Sequence, residues 1–171
     1  EGERRKSKEE EMASMRHRAA KSIHEGAWMM STGLIYNPGK YCENEEQIEG
    51  AKVVGRRGGI DARHIRKKSK DLEASGEEAM RNGREGKMPV HISHFKASGS
   101  DAWGQLRVAV ATIEKARASG EKVTADQYPY IASCTPLEPP LRPPWACDGV
   151  RRPPEEGPRE RGARGEARLG S

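Results

Sequence analysis

Two histidines in this 171-residue sequence each stand near the end of a short apolar run. His64 follows Gly-Gly-Ile-Asp-Ala-Arg, and His94 follows Met-Pro-Val-His-Ile-Ser. Imidazole is the commonest metal ligand in proteins, and two rings at the ends of neighbouring parallel strands can hold zinc with a position open to water. Zinc lowers the pKa of its bound water to about 7, which supplies hydroxide at neutral pH. Metal-assisted hydrolysis is therefore the chemistry that this pair could perform.

Spacing alone leaves a structural alternative open for the same pair. Two strand-end histidines without a local ligand motif can also be polar residues that hydrogen-bond to the backbone. We interpret His91 as structural, and we expect His17 and His24 to be solvated on the first predicted helix. The elements around the histidines must therefore decide whether His64 and His94 meet.

The hydrophobic periodicity predicts alternating helices and strands along most of the chain. The predicted helices cover residues 7–25, 43–57, 70–86 and 102–119, and the predicted strands cover residues 27–34, 60–65, 88–94 and 123–127. Ser7 is the expected N-cap of the first helix. The buried stripe expected on the fourth helix consists of Leu106, Val110, Ile113 and Ala116. Strands that alternate with helices of this length predict βαβ units and a parallel sheet.

These elements predict an α/β fold, a partial (β/α)8 TIM barrel of about four βα units with a C-terminal tail. A complete barrel typically needs about 250 residues, which is more than this chain has. Eight of the eleven prolines lie beyond residue 135, among Arg, Glu and Gly runs without apolar periodicity. We expect residues 1–135 to form the partial barrel and residues 136–171 to be a disordered Pro/Arg-rich tail.

The basic composition leaves a second class of function open. The formal net charge is +5. Much of the excess lies at the two ends of the chain, and no aromatic-interleaved basic stripe or zinc-finger spacing accompanies it. A noncatalytic protein that binds acidic partners such as nucleic acid is therefore the alternative function, although solvated terminal charge accounts for the same residues.

The cysteines and the hydropathy of the sequence indicate the cellular compartment in which the protein works. Cys42, Cys134 and Cys147 form no C-x-x-C pair, and their odd number argues against a disulfide framework and against a structural zinc module. We find no apolar run of 18 or more residues and no secretory signal, so we expect no membrane partner. These features predict a cytoplasmic protein.

Several motifs, in order along the chain, resemble the N-acyl-D-amino-acid deacylases (D-aminoacylases) of the amidohydrolase superfamily. They are Glu-Gly-Ala-Trp-Met-Met-Ser-Thr-Gly-Leu-Ile-Tyr-Asn-Pro-Gly, His64-Ile-Arg66, Ile-Ser-His-Phe-Lys-Ala-Ser-Gly and Val-Thr-Ala-Asp-Gln-Tyr-Pro-Tyr. Any one of them is weak, but together they are specific. The resemblance runs from about residue 7 to residue 149.

The resemblance implies a zinc-dependent barrel enzyme that hydrolyses the linear amide bond of N-acyl-D-amino acids with metal-activated water. It implies that His64 and His94 are zinc ligands and that Tyr36, Lys96 and Tyr128 help to hold the substrate. A cation and phenol hydroxyls suit a free carboxylate. Arg66 could add a fork-shaped carboxylate donor or could equally be an exposed loop arginine.

The chain also departs from the family pattern. We find no counterpart of the family's His-x-His pair, metal-bridging cysteine or late catalytic aspartate, so no catalytic general base is assigned to this chain. Lys67 and Lys68 replace an acidic pair. We therefore expect an internal fragment that is inactive alone, whose exposed sheet edges favour self-association. The Arg/Pro/Glu/Gly-rich sequence after Val150 does not resemble the family, which predicts a disturbed reading frame there. An amidohydrolase that acts on cyclic amides remains an alternative function.

Overall fold

The computed structural model describes residues 5–36 and 39–130, apart from the side chain of Asp101. The described residues form four helices and four strands in strict alternation, with two short 3-10 helices between them. The elements are α1 (Glu9–His24), β1 (Met29–Gly33), α2 (Asn44–Gly55), β2 (Ile60–His64), α3 (Leu72–Gly86), β3 (Val90–Ile92), α4 (Gln105–Ala118) and β4 (Val123–Ala125). The 3-10 helices are Gly39–Tyr41 and Ser100–Ala102.

The strands form one parallel sheet in the order β1-β2-β3-β4. In its register Gly33 lies beside His64, and Ile92 lies beside Ala125. Because every strand runs in the same direction, all four carboxyl ends meet at one edge of the sheet. The expected α/β architecture of four βα units is confirmed.

The core lies between one face of the sheet and the helices. Strand β2 shows the alternation most clearly, because Asp61 and Arg63 are buried towards the helices while Ile60 on the opposite face is 38% exposed. The largest apolar cluster joins β3 and β4 to α3 and α4. Its members are Ile65, Leu72, Ala79, Met80, Val90, Ile92, Phe95, Ala109, Ile113, Ala116 and Val123.

Small residues allow α2 and α3 to approach closely. A Cβ atom added to Gly55 would lie 1.9 Å from the carbonyl oxygen of Gly86, and one added to Gly86 would lie 2.8 Å from Ala51 Cβ. Both distances are shorter than any tolerable contact. The packing of these two helices therefore requires glycine at this crossing.

A buried polar network lies between β2 and these helices. The side chains of Asp61 and Arg63 are fully buried and form an ion pair. Gln47 Oε1 accepts a hydrogen bond from Arg63 Nη1 at 3.0 Å, and the amide oxygen of Asn82, which faces the guanidinium, accepts from Arg63 Nη1 at 2.6 Å. Burial raises the pKa of Asp61, and the charge of Arg63 opposes that shift. The network thus places a charge pair where an apolar residue is the usual choice.

Two local expectations about the helices are wrong. Helix α1 is capped by Lys8 rather than Ser7, because Glu11 accepts the Lys8 N–H at 2.7 Å while the Ser7 N–H donates to Glu46. On α4, Leu106 and Val110 are each 38% exposed. Ile113 and Ala116 are buried as expected, but the third buried residue is Ala109, so the stripe is rotated from the expected one.

Some expectations fall on parts of the chain outside the description. The domain boundary at residue 135 and the tail 136–171 lie beyond the described residues, as do Cys134 and Cys147. Cys42 is free, and burial raises the pKa of its thiol to about 12. Within residues 5–36 and 39–130, no helix combines the length and apolar character that crossing a membrane requires.

Candidate metal and substrate site

His64 and His94 meet at the carboxyl edge of the sheet. His64 is the last residue of β2, and His94 follows β3 by two residues. Their ring centroids lie 4.4 Å apart, with the ring planes at 71°. The parallel register brings them together, because it aligns the ends of β2 and β3. The predicted pair is thus a contact in the folded chain.

His64 lies between Tyr36 and His94. The Tyr36 ring centroid is 5.3 Å from that of His64, in an edge-to-face arrangement. His64 Nε2 is buried and has no hydrogen-bond partner. Burial, followed by the charges of Lys68, His94 and Lys96, lowers the pKa of His64 to about 4. The ring is therefore neutral at pH 7, which is the form that binds metals.

Lys68 reaches the same edge from the segment after β2. It is a buried lysine, and its Nζ contacts His94 Nδ1 and lies 3.3 Å from the His94 carbonyl oxygen. Burial, then the charge of Lys96, lowers the pKa of Lys68 to about 7. The pKa of His94 is lowered by burial and then by Lys68 and Lys96. This positive environment favours neutral imidazoles and anionic ligands.

Lys96 and Tyr128 form the next part of the site. Lys96 Nζ lies 4.6 Å from the centroid of the Tyr128 ring and donates to the His94 carbonyl oxygen at 3.2 Å. Contacts thus connect Tyr36, His64, His94, Lys96 and Tyr128 in sequence. The structure brings together five of the six side chains that the sequence predicts for the site.

Arg66 is the sixth, and its guanidinium group is engaged elsewhere. It binds both carboxylate oxygens of Glu78, with Nη2 to Oε1 at 2.8 Å and Nε to Oε2 at 3.0 Å. Nη1 donates to the carbonyl oxygen of Lys40 at 2.8 Å, and Nη2 also donates to that of Cys42 at 2.9 Å. In this arrangement Arg66 ties residues 39–42, next to Tyr36, to helix α3.

Known proteins share this arrangement of strands. The chain is 39% identical over 130 residues to a D-aminoacylase of Alcaligenes xylosoxydans xylosoxydans, a match that covers 76% of this chain and 27% of that protein. It is 36% identical over 129 residues to an N-acyl-D-glutamate deacylase of the same organism, covering 75% of this chain and 26% of that protein. The crystal structure of a D-aminoacylase superposes with a TM-score of 0.73 at 35% identity, over 76% of this chain and 27% of that one. Over about three quarters of its length, the chain is therefore similar to the N-acyl-D-amino-acid deacylases.

The match to these deacylases is partial in length. The chain spans about a quarter of the length of the curated relatives it matches. No protein-family model matches the chain. An N-acyl-D-glutamate deacylase from Bordetella bronchiseptica, solved with zinc and a phosphonate inhibitor, superposes with a TM-score of 0.70 at 32% identity, over 72% of this chain and 26% of that one. The zinc of that deacylase agrees with the cofactor that the sequence predicts.

The residues present fit part of a deacylase zinc site. Two neutral imidazoles lie in contact, and His64 Nε2 is a buried nitrogen without a partner, which offers its lone pair to a metal when the ring proton is on Nδ1. Within the described ranges, however, no group of three or more His, Cys, Asp or Glu side chains could hold a metal ion. His64 and His94 could therefore supply two ligands, which by themselves do not complete a zinc site.

Three side chains beside the two histidines, those of Lys68, His91 and Asp126, were not predicted as site residues. Lys68 contacts His94, and Asp126 accepts the His94 N–H and also binds His91 Nε2 at 2.8 Å. The pKa of Asp126 is lowered, first by its hydrogen bond from His91 and then by that from the His94 amide. The signal for Asp126 was its place near the end of a predicted strand, the same kind of place that identified His64.

Proposed function

We propose that this chain supplies part of the zinc site and of the carboxylate site of a hydrolase that cleaves the linear amide bond of N-acyl-D-amino acids. The observation that carries the proposal is the contact between two neutral imidazoles, one with an unpartnered buried nitrogen, beside a lysine and a tyrosine. The relatives named as deacylases of D-amino acid derivatives support the substrate class.

Each group has a task that follows from its chemistry. His64 and His94 would hold zinc, which polarises an amide carbonyl and activates water when it is bound. Lys96 supplies a positive charge for the free carboxylate, and the face of Tyr128 keeps its ammonium group in place. Tyr36 packs against His64 and presents a phenol at the same edge. Arg66 acts on the site through residues 39–42, which it ties to Glu78.

The base that takes a proton from water is not assigned to this chain. We therefore expect the 171-residue chain to bind zinc and N-acyl-D-amino acids without turnover. Activity would require the remaining ligands and the base from the rest of a barrel. Hydrolysis of N-acetyl-D-amino acids by the chain alone would contradict this division of tasks.

Zinc binding by matched histidine variants tests the metal part of the proposal. We expect the chain to retain zinc after dialysis, and we expect His64→Ala/His94→Ala to lose it. The control is His17→Ala/His24→Ala, which removes two exposed histidines of α1 and leaves both strand ends intact. Equal zinc content in all three proteins, measured by atomic absorption, would end the metal-site assignment.

Ligand titration tests the substrate class. We expect the zinc-loaded chain to bind an N-acetyl-D-amino acid and to lose about tenfold in affinity when Lys96→Met removes the carboxylate's cation. A cyclic amide without a free carboxylate should bind more weakly and should be insensitive to the variant. Tighter binding of the cyclic amide would favour an amidohydrolase of cyclic substrates.

We also infer that the described unit self-associates. Within the described sheet, β1 pairs only with β2 and β4 only with β3, so two strands present unpaired backbone groups. Trp28, which is 80% exposed, and Met29, which is 49% exposed, lie at the β1 side. Such edges pair readily with other chains. A concentration-independent monomer in sedimentation velocity would contradict the inference.

A reducing cytoplasmic compartment fits the cysteines. The Cys42 thiol is free in the structure, and the sequence carries no C-x-x-C pair. We expect Cys42 to be unpaired in protein isolated from cells under non-reducing conditions, and peptide mass spectrometry measures this directly.

A further inference from the structure

Asp126 is the first residue after β4, beside the segment that carries His94. Ala125 pairs with Ile92 in the parallel register, so the residues that follow both strands lie next to each other. Asp126 therefore occupies, on β4, the kind of strand-end position that His64 and His94 occupy on β2 and β3.

The backbone of Asp126 holds both sides of His94. Its N–H donates to the Ile92 carbonyl oxygen at 3.2 Å, and its carbonyl oxygen accepts the Phe95 N–H at 2.8 Å. These two bonds bracket His94 on either side. They fix the course of the chain before and after the histidine without touching its ring.

The carboxylate of Asp126 completes the hold on this segment. One oxygen accepts the N–H of His94 itself, and the other binds His91 Nε2 at 2.8 Å. His91 Nδ1 lies 2.9 Å from Thr124 Oγ1. When His91 Nε2–H donates to the carboxylate, Nδ1 is placed to accept from the threonine hydroxyl. Thr124 and His91 thereby orient the carboxylate that holds His94.

The backbone of His94 needs such a hold. Its φ angle is +41°, in the left-handed region that residues other than glycine rarely adopt. A strained conformation of this kind persists only where its surroundings fix it. The left-handed turn directs the chain after β3 so that the His94 ring contacts His64.

We propose that Asp126 is a positioning residue that fixes the left-handed turn at His94, and so the place of this imidazole opposite His64, through its hydrogen bond to the His94 N–H. The proposal rests on the proposed function for its consequence, which is metal affinity. The hydrogen bond itself is independent of that function. His91 and Thr124 serve the same turn indirectly, by orienting the Asp126 carboxylate.

Two measurements on three variants test this role. Asp126→Ala removes the acceptor, and Asp126→Asn keeps an oxygen that can accept the His94 N–H. Asp71→Asn is the control, a carboxylate at the start of α3 that pairs with Lys67. The measurements are zinc affinity, by competition with a chromophoric chelator, and the hydrogen exchange of the His94 amide, by NMR of the metal-free chain.

We expect Asp126→Ala to weaken zinc binding by about 10- to 100-fold and to speed exchange of the His94 amide by at least about tenfold. Asp126→Asn should recover most of the zinc affinity and most of the protection of the His94 amide. The control Asp71→Asn should change neither of these two quantities. A residue that only stabilised the fold would leave zinc affinity unchanged in the folded fraction, so rescue by asparagine separates positioning from stability.

The outcomes separate this proposal from the proposed function. If zinc binding depends on His64 and His94 but Asp126→Ala leaves both measurements unchanged, the positioning role of Asp126 is overturned and the metal site stands. If the unaltered chain binds no zinc, the proposed function fails and amide exchange decides the role of Asp126: faster exchange in Asp126→Ala supports it, and unchanged exchange overturns it.

Discussion

Two polar regions lie on opposite faces of β2, and they treat charge in opposite ways. On the face of β2 that packs against the helices, Arg63 is paired with Asp61 and hydrogen-bonded to Gln47. At the carboxyl edge, Lys68 and Lys96 approach two neutral imidazoles, while Asp126 accepts from His91 and from a backbone amide. The first region compensates its charge internally and serves the fold. The second has a surplus of positive charge and neutral nitrogen ligands, which suits the binding of an anion and a metal.

The largest expected effect comes from breaking the buried ion pair of Asp61 and Arg63. Arg63→Met leaves the buried Asp61 carboxylate without a counter-charge, so we expect a loss of about 3–5 kcal/mol in the free energy of unfolding. Asp61→Leu/Arg63→Met should recover most of that loss, because Asp61 Oδ1 and Arg63 Nε have no hydrogen-bond partner even in the intact network. Urea unfolding measures both variants.

The control for this pair is Arg81→Met, which removes an exposed arginine paired with Glu45 and Glu85. Exposed ion pairs contribute about 0–1 kcal/mol, so this variant should unfold near the same urea concentration as the unaltered chain. An Arg63→Met variant as stable as Arg81→Met would show that the buried ion pair contributes no more to stability than an exposed one.

A smaller effect tests how tightly the helix side is packed. Gly86→Ala inserts a methyl group against Ala51, so we expect a loss of about 1–3 kcal/mol. Gly76→Ala on the same helix meets nothing within 4 Å and should stabilise the chain by about 0.4–1 kcal/mol. Opposite signs in thermal unfolding would confirm the close crossing of α2 and α3. A neutral Gly86→Ala would mean that the helices separate freely.

The prediction with the smallest expected effect on stability concerns the positive charge at the carboxyl edge of the sheet. Lys68→Met removes a cation next to His94, so we expect zinc affinity to rise by about tenfold through lost electrostatic repulsion. Lys67→Met is the matched control, because Lys67 is exposed and pairs with Asp71. A chelator competition assay measures both. Weaker zinc binding in Lys68→Met would show that this lysine orients His94 rather than repelling the metal.

The sequence predicted the parts of the molecule that follow from local pattern. His64 and His94 could be predicted because each lies at the end of an apolar run, and parallel strands align such ends. Their nearest partners could not be predicted, because the sequence does not show which residues lie beside a loop. Arg66 illustrates this, since Glu78 and the carbonyl oxygens of Lys40 and Cys42 become its partners only when α3 packs against residues 39–42.

The buried charge pair was missed for a different reason. Ile-Asp-Ala-Arg-His alternates apolar and polar residues, which normally places the polar ones in water. Here Asp61 and Arg63 point towards the helices, and the less buried positions of the strand include Ile60. Only the pairing of the two charges with each other and with α2 makes this orientation possible. Pairing depends on the tertiary structure, which periodicity does not report.

The alternation along β2 also restricts how this gene can change. Neighbouring residues 63 and 64 serve the two faces, so inserting or deleting one codon inside the strand would exchange them. The guanidinium would then project towards His94 and the imidazole into the helix layer, and both regions would be disrupted at once. Substitutions in β2 can be compensated one at a time, but its length cannot vary by a single residue.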